Sequence, residues 1–425
     1  MSVAVVRQKR SPMPGTDASS VRAAQRRRGG TGFWTVAYAF LIVMALATLP
    51  SPLYGLYRTR DHLSALTITV IYAIFAGGTI AALFGVRALA ARIGRRGVMI
   101  SAVATMMAAA ALLAARPALA GLLIGRLLTG AAVGLAAGTA ITYLIELRLR
   151  ADPNASAARA RVIGTSVNVG ALGVGPLIAG LLAQWGKLQL TLPYLVILAL
   201  GAIALAGLRV VPETGAPAPS AKSTKQPAGS RPARLPVPAA AGTLAAFAAN
   251  GLFAGLSGLF LATTLHHPSH ALSGATLFLV FTCGVASQLA TARLQAPRVL
   301  GLGTISMLGG LVLLVISVRL STPSLALFLL AGALIGAGSG AVFKGTTGLV
   351  LEATPPESRL AMTSALLIAL FVGLSVPVIG AGVALSLGAS APDTVLGFAI
   401  LVGLGVAASG WALLGRRPRA AEQVA

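Results

Sequence analysis

Carboxylates are scarce in this chain. Nine Asp and Glu stand against 33 Lys and Arg in 425 residues, and charged residues make up only 10% of the total. A soluble domain carries about 25% charged residues, so a globule of this length could not be solvated by its own surface. The single cysteine, Cys283, excludes an intrachain disulfide framework and a cysteine-based metal site. His62, His266, His267 and His270 fall in no ligand spacing, so they read as solvated loop residues and no metal is expected. No cluster of His, Asp or Glu lies inside an apolar run. A membrane-embedded enzyme would need such a cluster, so neither an enzyme nor a cofactor is expected.

What the chain does have is apolar sequence: 56% of its residues are hydrophobic. A spanning helix needs about 20 mostly apolar residues. Such runs occur at approximately 33–57, 65–88, 97–115, 118–146, 161–183, 192–211, 239–264, 273–292, 299–318, 324–351, 360–385 and 394–414. The run from Phe33 is too long for a signal-peptide core and reads as a retained membrane helix. The expected class is therefore an all-α integral membrane protein with twelve transmembrane helices.

The net charge of +24 raises nucleic acid as a partner. The cations, however, sit in short gaps between apolar runs, as positive-inside topology requires, and no nucleic-acid partner is expected. With the N-terminus inside, the cytoplasmic gaps hold Arg92, Arg95, Arg96, Arg148, Arg150, Arg159, Arg161, Lys222, Lys225, Arg231, Arg234, Arg293, Arg298 and Arg359. The outer gaps hold Arg58, Arg60, Arg116, Lys187 and Arg319. An even number of crossings preserves this asymmetry and places both termini in the cytoplasm of a cell bearing the protein in its inner or plasma membrane. The basic N-terminal tail also offers contacts to anionic lipid.

The stretch from Pro212 to Pro238 is rich in Pro, Ala, Ser and Lys. It cannot bury enough surface to offset its ordering entropy and reads as a cytoplasmic linker. The expected organisation is a tail at 1–32, a six-helix bundle at 33–211, the linker at 212–238, a second bundle at 239–414 and a tail at 415–425. The bundles resemble each other: Gly130, Gly134 and Glu146 in the fourth span recur at the same spacing as Gly336, Gly340 and Glu352 in the tenth. Internal repeats that enclose a substrate site characterise secondary transporters.

The gap between the second and third spans carries a recognisable motif. Leu89, Ala90, Arg92, Gly94, Arg95 and Arg96 match the pattern Gly-x-Leu-Ala-Asp-Arg-x-Gly-Arg-Arg, with Arg87 in place of its glycine and Ala91 in place of its aspartate. Arg126, Gly130 and Gly134 fit Arg-x-x-x-Gly-x-x-x-Gly in the fourth span. The stretch NVGALGVGPLIAG, Asn168 to Gly180, approximates a Gly-Pro-rich exporter motif, and TLPSPLYGLY from Thr48 looks like drug-efflux-type members. The chain thus resembles the major facilitator superfamily over nearly its whole length. The resemblance implies two pseudo-symmetric six-helix bundles rocking about a central chamber. It also implies that the arginine loop belongs to an inner gate, with Arg92, Arg95 or Arg96 pairing with Glu146, and Glu352 pairing with Arg293 or Arg298. Ala91 cannot make the tie to the eleventh helix that the family aspartate makes.

Ionisable groups inside a bilayer are costly and are functional candidates by default. Two lie well within a span, Arg126 and Lys344. The resemblance places their helices around the chamber, with Tyr38, Thr142, Asn168 and Asn250 as polar neighbours. Lys344 has a second reading, snorkelling to the cytoplasmic face. Two chamber cations without an acid favour an anionic or neutral cargo. The leading expectation is proton-coupled export of small organic compounds by a monomer, with Glu146 or Lys344 carrying the proton. Uptake or uniport of a small anionic or neutral solute, and a non-transporting scaffold or receptor, remain open.

Overall fold

The computed structural model describes residues 18–115, 118–214, 235–355 and 358–415. The expectations for Arg116, for Lys222, Lys225, Arg231 and Arg234 of the linker, and for the extreme termini fall outside these residues. Among the described residues the chain is helical throughout: α1 (Ala18–Thr48), α2 (Tyr54–Asp61), α3 (Ala65–Ala114), α4 (Leu119–Ala137), α5 (Ala140–Ala151), α6 (Ala157–Trp185), α7 (Leu192–Val210), α8 (Val237–Thr263), α9 (His270–Ala290), α10 (Ala296–Arg319), α11 (Leu325–Glu352), α12 (Arg359–Ser386) and α13 (Ala391–Leu414).

Eleven of the helical stretches are long and apolar enough to cross a membrane. One of them, α3, is two spans in one: it runs for 50 residues and bends at Gly94, whose φ of 73° and ψ of 174° are not helical. Counting its two limbs separately gives twelve crossings, in register with the hydropathy of the sequence. The expected loop between the second and third spans is absent, because Gly94 alone turns the chain. A milder interruption at Gly138 and Thr139 separates α4 from α5 within the fourth span. Helix α1 begins at Ala18, inside the expected tail.

Apolar side chains gain little by leaving lipid for protein, so helix association in a bilayer depends on close packing at small residues. Gly130 and Gly134 provide it in the first half. A Cβ added at Gly130 would lie 1.8 Å from the Phe75 carbonyl oxygen, and one at Gly134 would lie 2.4 Å from that of Thr79. These contacts press α4 onto the first limb of α3. In the second half, Cβ atoms at Gly336 and Gly340 would lie 2.0 Å from the Val280 oxygen and 2.3 Å from the Gly284 oxygen, pressing α11 onto α9. The repeated glycine pair thus joins the fourth span to the second, and the tenth to the eighth.

Across the halves, α6 packs on α9 and the first limb of α3 on α12. Gly173 lies against Phe278, and Val169 is beside Gly284. Phe75 meets Phe371 edge-on at 6.1 Å. The core includes nearly all of α1 from Val36 to Leu49 and α8 from Ala245 to Leu256.

Gly130→Ala and Gly336→Ala should each destabilise the protein by about 1–3 kcal/mol or more, because the new methyl group meets a backbone that cannot yield. Gly85→Ala, at a position with nothing within 4 Å, should be neutral or slightly stabilising. Thermal unfolding in one detergent compares the three.

Candidate functional site

A bend inside a helix exposes the amides that open the next turn. At Gly94 these amides find a carboxylate. The Arg95 amide donates to Glu213 Oε1 at 2.9 Å and the Arg96 amide to Glu213 Oε2 at 3.0 Å. The negative charge therefore caps the second limb of α3 at the end where the helix dipole favours it. Only glycine fits the corner, since a Cβ there would come within 2.5 Å of Glu213 Oε2. Sequence reasoning missed Glu213. It was assigned to the start of the linker, 118 positions from Arg95, and no local spacing joins the two.

Around this cap the chain leaving α7 is stitched to its neighbours. Arg95 Nε donates to Glu146 Oε2 at 2.6 Å, and the Thr214 hydroxyl donates to the same oxygen at 2.6 Å. Arg150 Nη1 donates to the Glu213 carbonyl at 2.7 Å, Arg96 Nη1 to that of Val211 at 3.3 Å and the Tyr143 hydroxyl to that of Pro212 at 2.8 Å. The Arg95 and Glu146 side chains are 29% and 31% exposed, and such a pair contributes about 1 kcal/mol or less. The two-amide cap is the firmer tie.

Of the three arginines expected as alternatives for Glu146, Arg95 is the one that meets it, but both partners belong to the first half, so the pair does not bridge the bundles. Arg92 makes no salt bridge among the described residues, because Ala91, Arg92 and Ile93 all face outward at the corner. Glu352 is exposed at the end of α11 and likewise has no ion-pair partner among the described residues, Arg293 and Arg298 included.

The residues expected around one chamber are placed apart. Arg126 is 1% exposed. Its Nη1 donates to the Ala47 carbonyl at 2.7 Å, its Nη2 to that of Tyr72 at 3.2 Å and its Nε to that of Ile71 at 3.3 Å. Its guanidinium lies 4.9 Å from the Phe75 ring centre and 5.8 Å from that of Tyr72. With three carbonyls and two ring faces around it, this cation is compensated without a carboxylate, and it fastens α1 and α3 to α4. The Tyr38 hydroxyl donates to the Leu200 carbonyl in α7 at 3.1 Å. Asn250 Nδ2 donates to Ser339 Oγ at 2.9 Å, joining α8 to α11. Lys344 Nζ donates to the Gln288 carbonyl at 2.8 Å and to Thr291 Oγ1 at 3.1 Å. It thus reaches the basic end and complements the closing carbonyls of α9, as the snorkelling alternative anticipates. Thr142 is half-buried, and Asn168 is buried with no hydrogen-bond partner for Oδ1. Gln288 Nε2 and Thr347 Oγ1, which the sequence did not single out, are buried without partners as well.

The two halves are hydrogen-bonded only at the end opposite the arginine corner, among the described residues. Gln184 Oε1, at the end of α6, accepts from the His270 amide at 2.9 Å, from Ser269 Oγ at 3.1 Å and from the Ala271 amide at 3.4 Å. It therefore caps the start of α9 from the other half. His270 Nδ1 lies 3.2 Å from the Pro52 carbonyl oxygen, and the Leu66 amide donates to Ser386 Oγ at 3.2 Å. His270 is accordingly part of a seam and not a solvated loop residue.

A family profile described as Major Facilitator Superfamily matches residues 35–299, more than half of the chain. Among solved structures, a crystal structure of a mutant of the nucleoside transporter NupG superposes with a TM-score of 0.65 at 11% identity, covering 91% of this chain and 99% of the other. No curated protein sequence matches the chain.

Gly94→Ala should cost about 1–3 kcal/mol from its disfavoured backbone region alone, and more from the clash with Glu213. In a Glu213→Ala background the clash disappears, so the cost of Gly94→Ala should shrink. Strictly additive losses in a thermal-unfolding cycle would mean that the carboxylate does not sit over this corner.

Proposed function

The chain belongs to the major facilitator superfamily, and on that premise we propose that it exports a small neutral or anionic organic solute by alternating access, with protons as the coupling ion. It works as a monomer in the inner or plasma membrane, with the arginine corner and both termini on the cytoplasmic side. One observation carries this reading: every hydrogen bond between the halves lies at the far end, among the described residues. A carrier needs a seam of that kind, polar and divisible, at whichever end is shut. The arrangement corresponds to a molecule closed outside and ready to exchange cargo with the cytoplasm.

The polar atoms left for a cargo support its assignment as neutral or anionic. Asn168 Oδ1 can accept, Gln288 Nε2 can donate, and the Thr347 hydroxyl can do either. They sit on α6, α9 and α11, and α6 and α9 are the pair that meets across the halves. Lys344 adds a positive charge, and one of its three N–H bonds remains beyond the two that hold α9. Thr142 completes the set from α5. Among the described residues Asp61, Asp152, Glu213, Glu352 and Asp393 stand at helix ends or in loops, and Glu146, within α5, is engaged by Arg95 and Thr214, which disfavours a cationic cargo. The likeness to the NupG structure, at 11% identity, carries the fold and not the cargo. Uptake or uniport would use the same groups in the other direction, whereas a scaffold would need no divisible seam.

The test is vesicle counterflow with a panel of labelled neutral and anionic solutes, with and without an uncoupler. In a Cys283→Ala background, cross-linking Gln184→Cys to Ala271→Cys should abolish transport, and cleaving the link should restore it. Gln288→Leu should raise the half-saturating concentration roughly tenfold, the scale of one lost hydrogen bond. Undiminished counterflow in the cross-linked protein would overturn alternating access at this seam.

A further inference from the structure

At the end closed by Gln184 the two halves enclose a cavity of about 690 Å³, within the range of about 300–1,000 Å³ that small-molecule sites occupy. Its first-half wall is formed by α2, the turn before it and the start of α3; its second-half wall is formed by the end of α8 and the start of α9. Leu56, Leu63, Ile68, Leu256 and Leu259 supply apolar surface. Gly55 leaves room beside them, since nothing lies within 4 Å of a Cβ built there.

The charge on this cavity is of one sign. No carboxylate lines it, whereas Arg58, His62 and His270 do. Two other arginines at this end are neutralised. Arg60 Nε and Nη2 donate to the two oxygens of Asp61 at 2.7 Å and 2.6 Å, and Arg319 is paired with Asp393. Arg58 has no ion pair, and its guanidinium no hydrogen bond, among the described residues. Helix α2 ends at this residue: the Arg58 carbonyl accepts from the amides of His62 and Leu63, and His62 takes the left-handed backbone, φ 52°, that such a cap uses.

The hydroxyls of the exposed lining are already committed. Thr59 donates to the Gly55 carbonyl at 3.1 Å, Thr263 to that of Leu259 at 2.8 Å and Ser269 to Gln184 Oε1 at 3.1 Å. His270 Nδ1 lies 3.2 Å from the Pro52 oxygen, which can only accept, so that nitrogen carries its hydrogen and the ring is fixed across the halves. Arg58 remains as the uncommitted charged donor. A guanidinium without a carboxylate of its own is matched by an oxyanion, which it grips through two parallel N–H bonds. A cation would meet like charge here, and a neutral solute would leave the guanidinium unpaired.

We infer that this cavity is a site for a small organic anion, its oxyanion paired with Arg58 and its apolar body laid against the leucine walls. Because the walls belong to both halves, an anion seated there holds this end shut and inhibits transport from outside. That consequence rests on the alternating-access reading; the binding site itself does not.

The experiment uses the full chain in phosphatidylcholine nanodiscs and three probes with one body: 4-phenylbutyrate, anionic; 4-phenylbutanol, uncharged; and 4-phenylbutylamine, cationic. Binding is read by saturation-transfer NMR, with empty nanodiscs subtracted. Phenylbutyrate should bind best. Arg58→Gln, which removes the charge, and Gly55→Leu, which fills open space, should each weaken it roughly tenfold. Lys187→Gln, which removes a cation outside the cavity lining, should leave it unchanged. Unchanged thermal unfolding of Arg58→Gln and Gly55→Leu separates a lost site from a misfolded chain. Phenylbutyrate binding no tighter than that of the other two probes, or undiminished in Arg58→Gln or Gly55→Leu, would overturn the site. Adding phosphatidylglycerol to the nanodiscs distinguishes the source of the anion: displaced phenylbutyrate assigns the Arg58 contact to a lipid headgroup, and retained phenylbutyrate to a soluble anion. The Gln184→Cys/Ala271→Cys cross-linked protein should bind phenylbutyrate at least as tightly as the parent. Lost binding there would overturn the claim that the anion favours the shut end, whereas continued transport by that protein would overturn alternating access and leave the site standing.

Discussion

Inside a bilayer no water completes the hydrogen bonding of a backbone group released at a helix end or bend. This chain answers that constraint with the few polar side chains it has. Glu213 takes the two amides exposed at Gly94. Arg126 collects carbonyls from α1 and α3. Lys344 reaches the closing turn of α9, and Gln184 caps its opening turn from the other half. Much of what the charged and amide groups do here is to finish backbones. The scarcity of carboxylates in the composition becomes intelligible in this light, since Glu213 is placed where one such group serves two amides at once.

The division of labour between the halves follows from the same economy of polar groups. Contacts within each half are backbone against backbone at glycine, repeated from one half to the other, and they leave no room for adjustment. Between the halves, glycine approaches of the same closeness occur at Gly180 and Gly274, whose Cβ atoms would lie 2.4 Å from the His270 oxygen and 2.3 Å from the Pro176 oxygen. They lie beside the hydrogen bonds that Gln184 and His270 make, so the boundary is tightest at that end.

Much of this architecture was legible in the sequence, and the reasons can be traced to residues. Span positions follow from hydropathy, because lipid imposes its thickness on every crossing, so eleven of the helical stretches needed no tertiary information. The glycine pairs at 130/134 and 336/340 were visible because their spacing repeats. The side-chain partners were less visible. From sequence Glu146 reads as a partner of Arg92, Arg95 or Arg96 without a choice among them, and Arg95 is the one it meets, yet the stronger tie to Glu213 depends on a bend that brings residues far apart in sequence together. Arg126, Tyr38 and Asn250 read as chamber residues because a polar group in an apolar run signals function. Whether such a group turns to a cargo or to a neighbouring carbonyl is decided by helix rotation, which periodicity leaves nearly unconstrained in a segment that is apolar on all sides.

The corner at Gly94 has a mechanical meaning. Two spans that turn within one residue and are fastened there act as a bell crank. The first limb bears on α12 in the other half, and the second bears on α7 within its own half. Displacement of the first limb at the boundary is therefore delivered to α7 and to Val211–Thr214, the residues that cap and brace the corner.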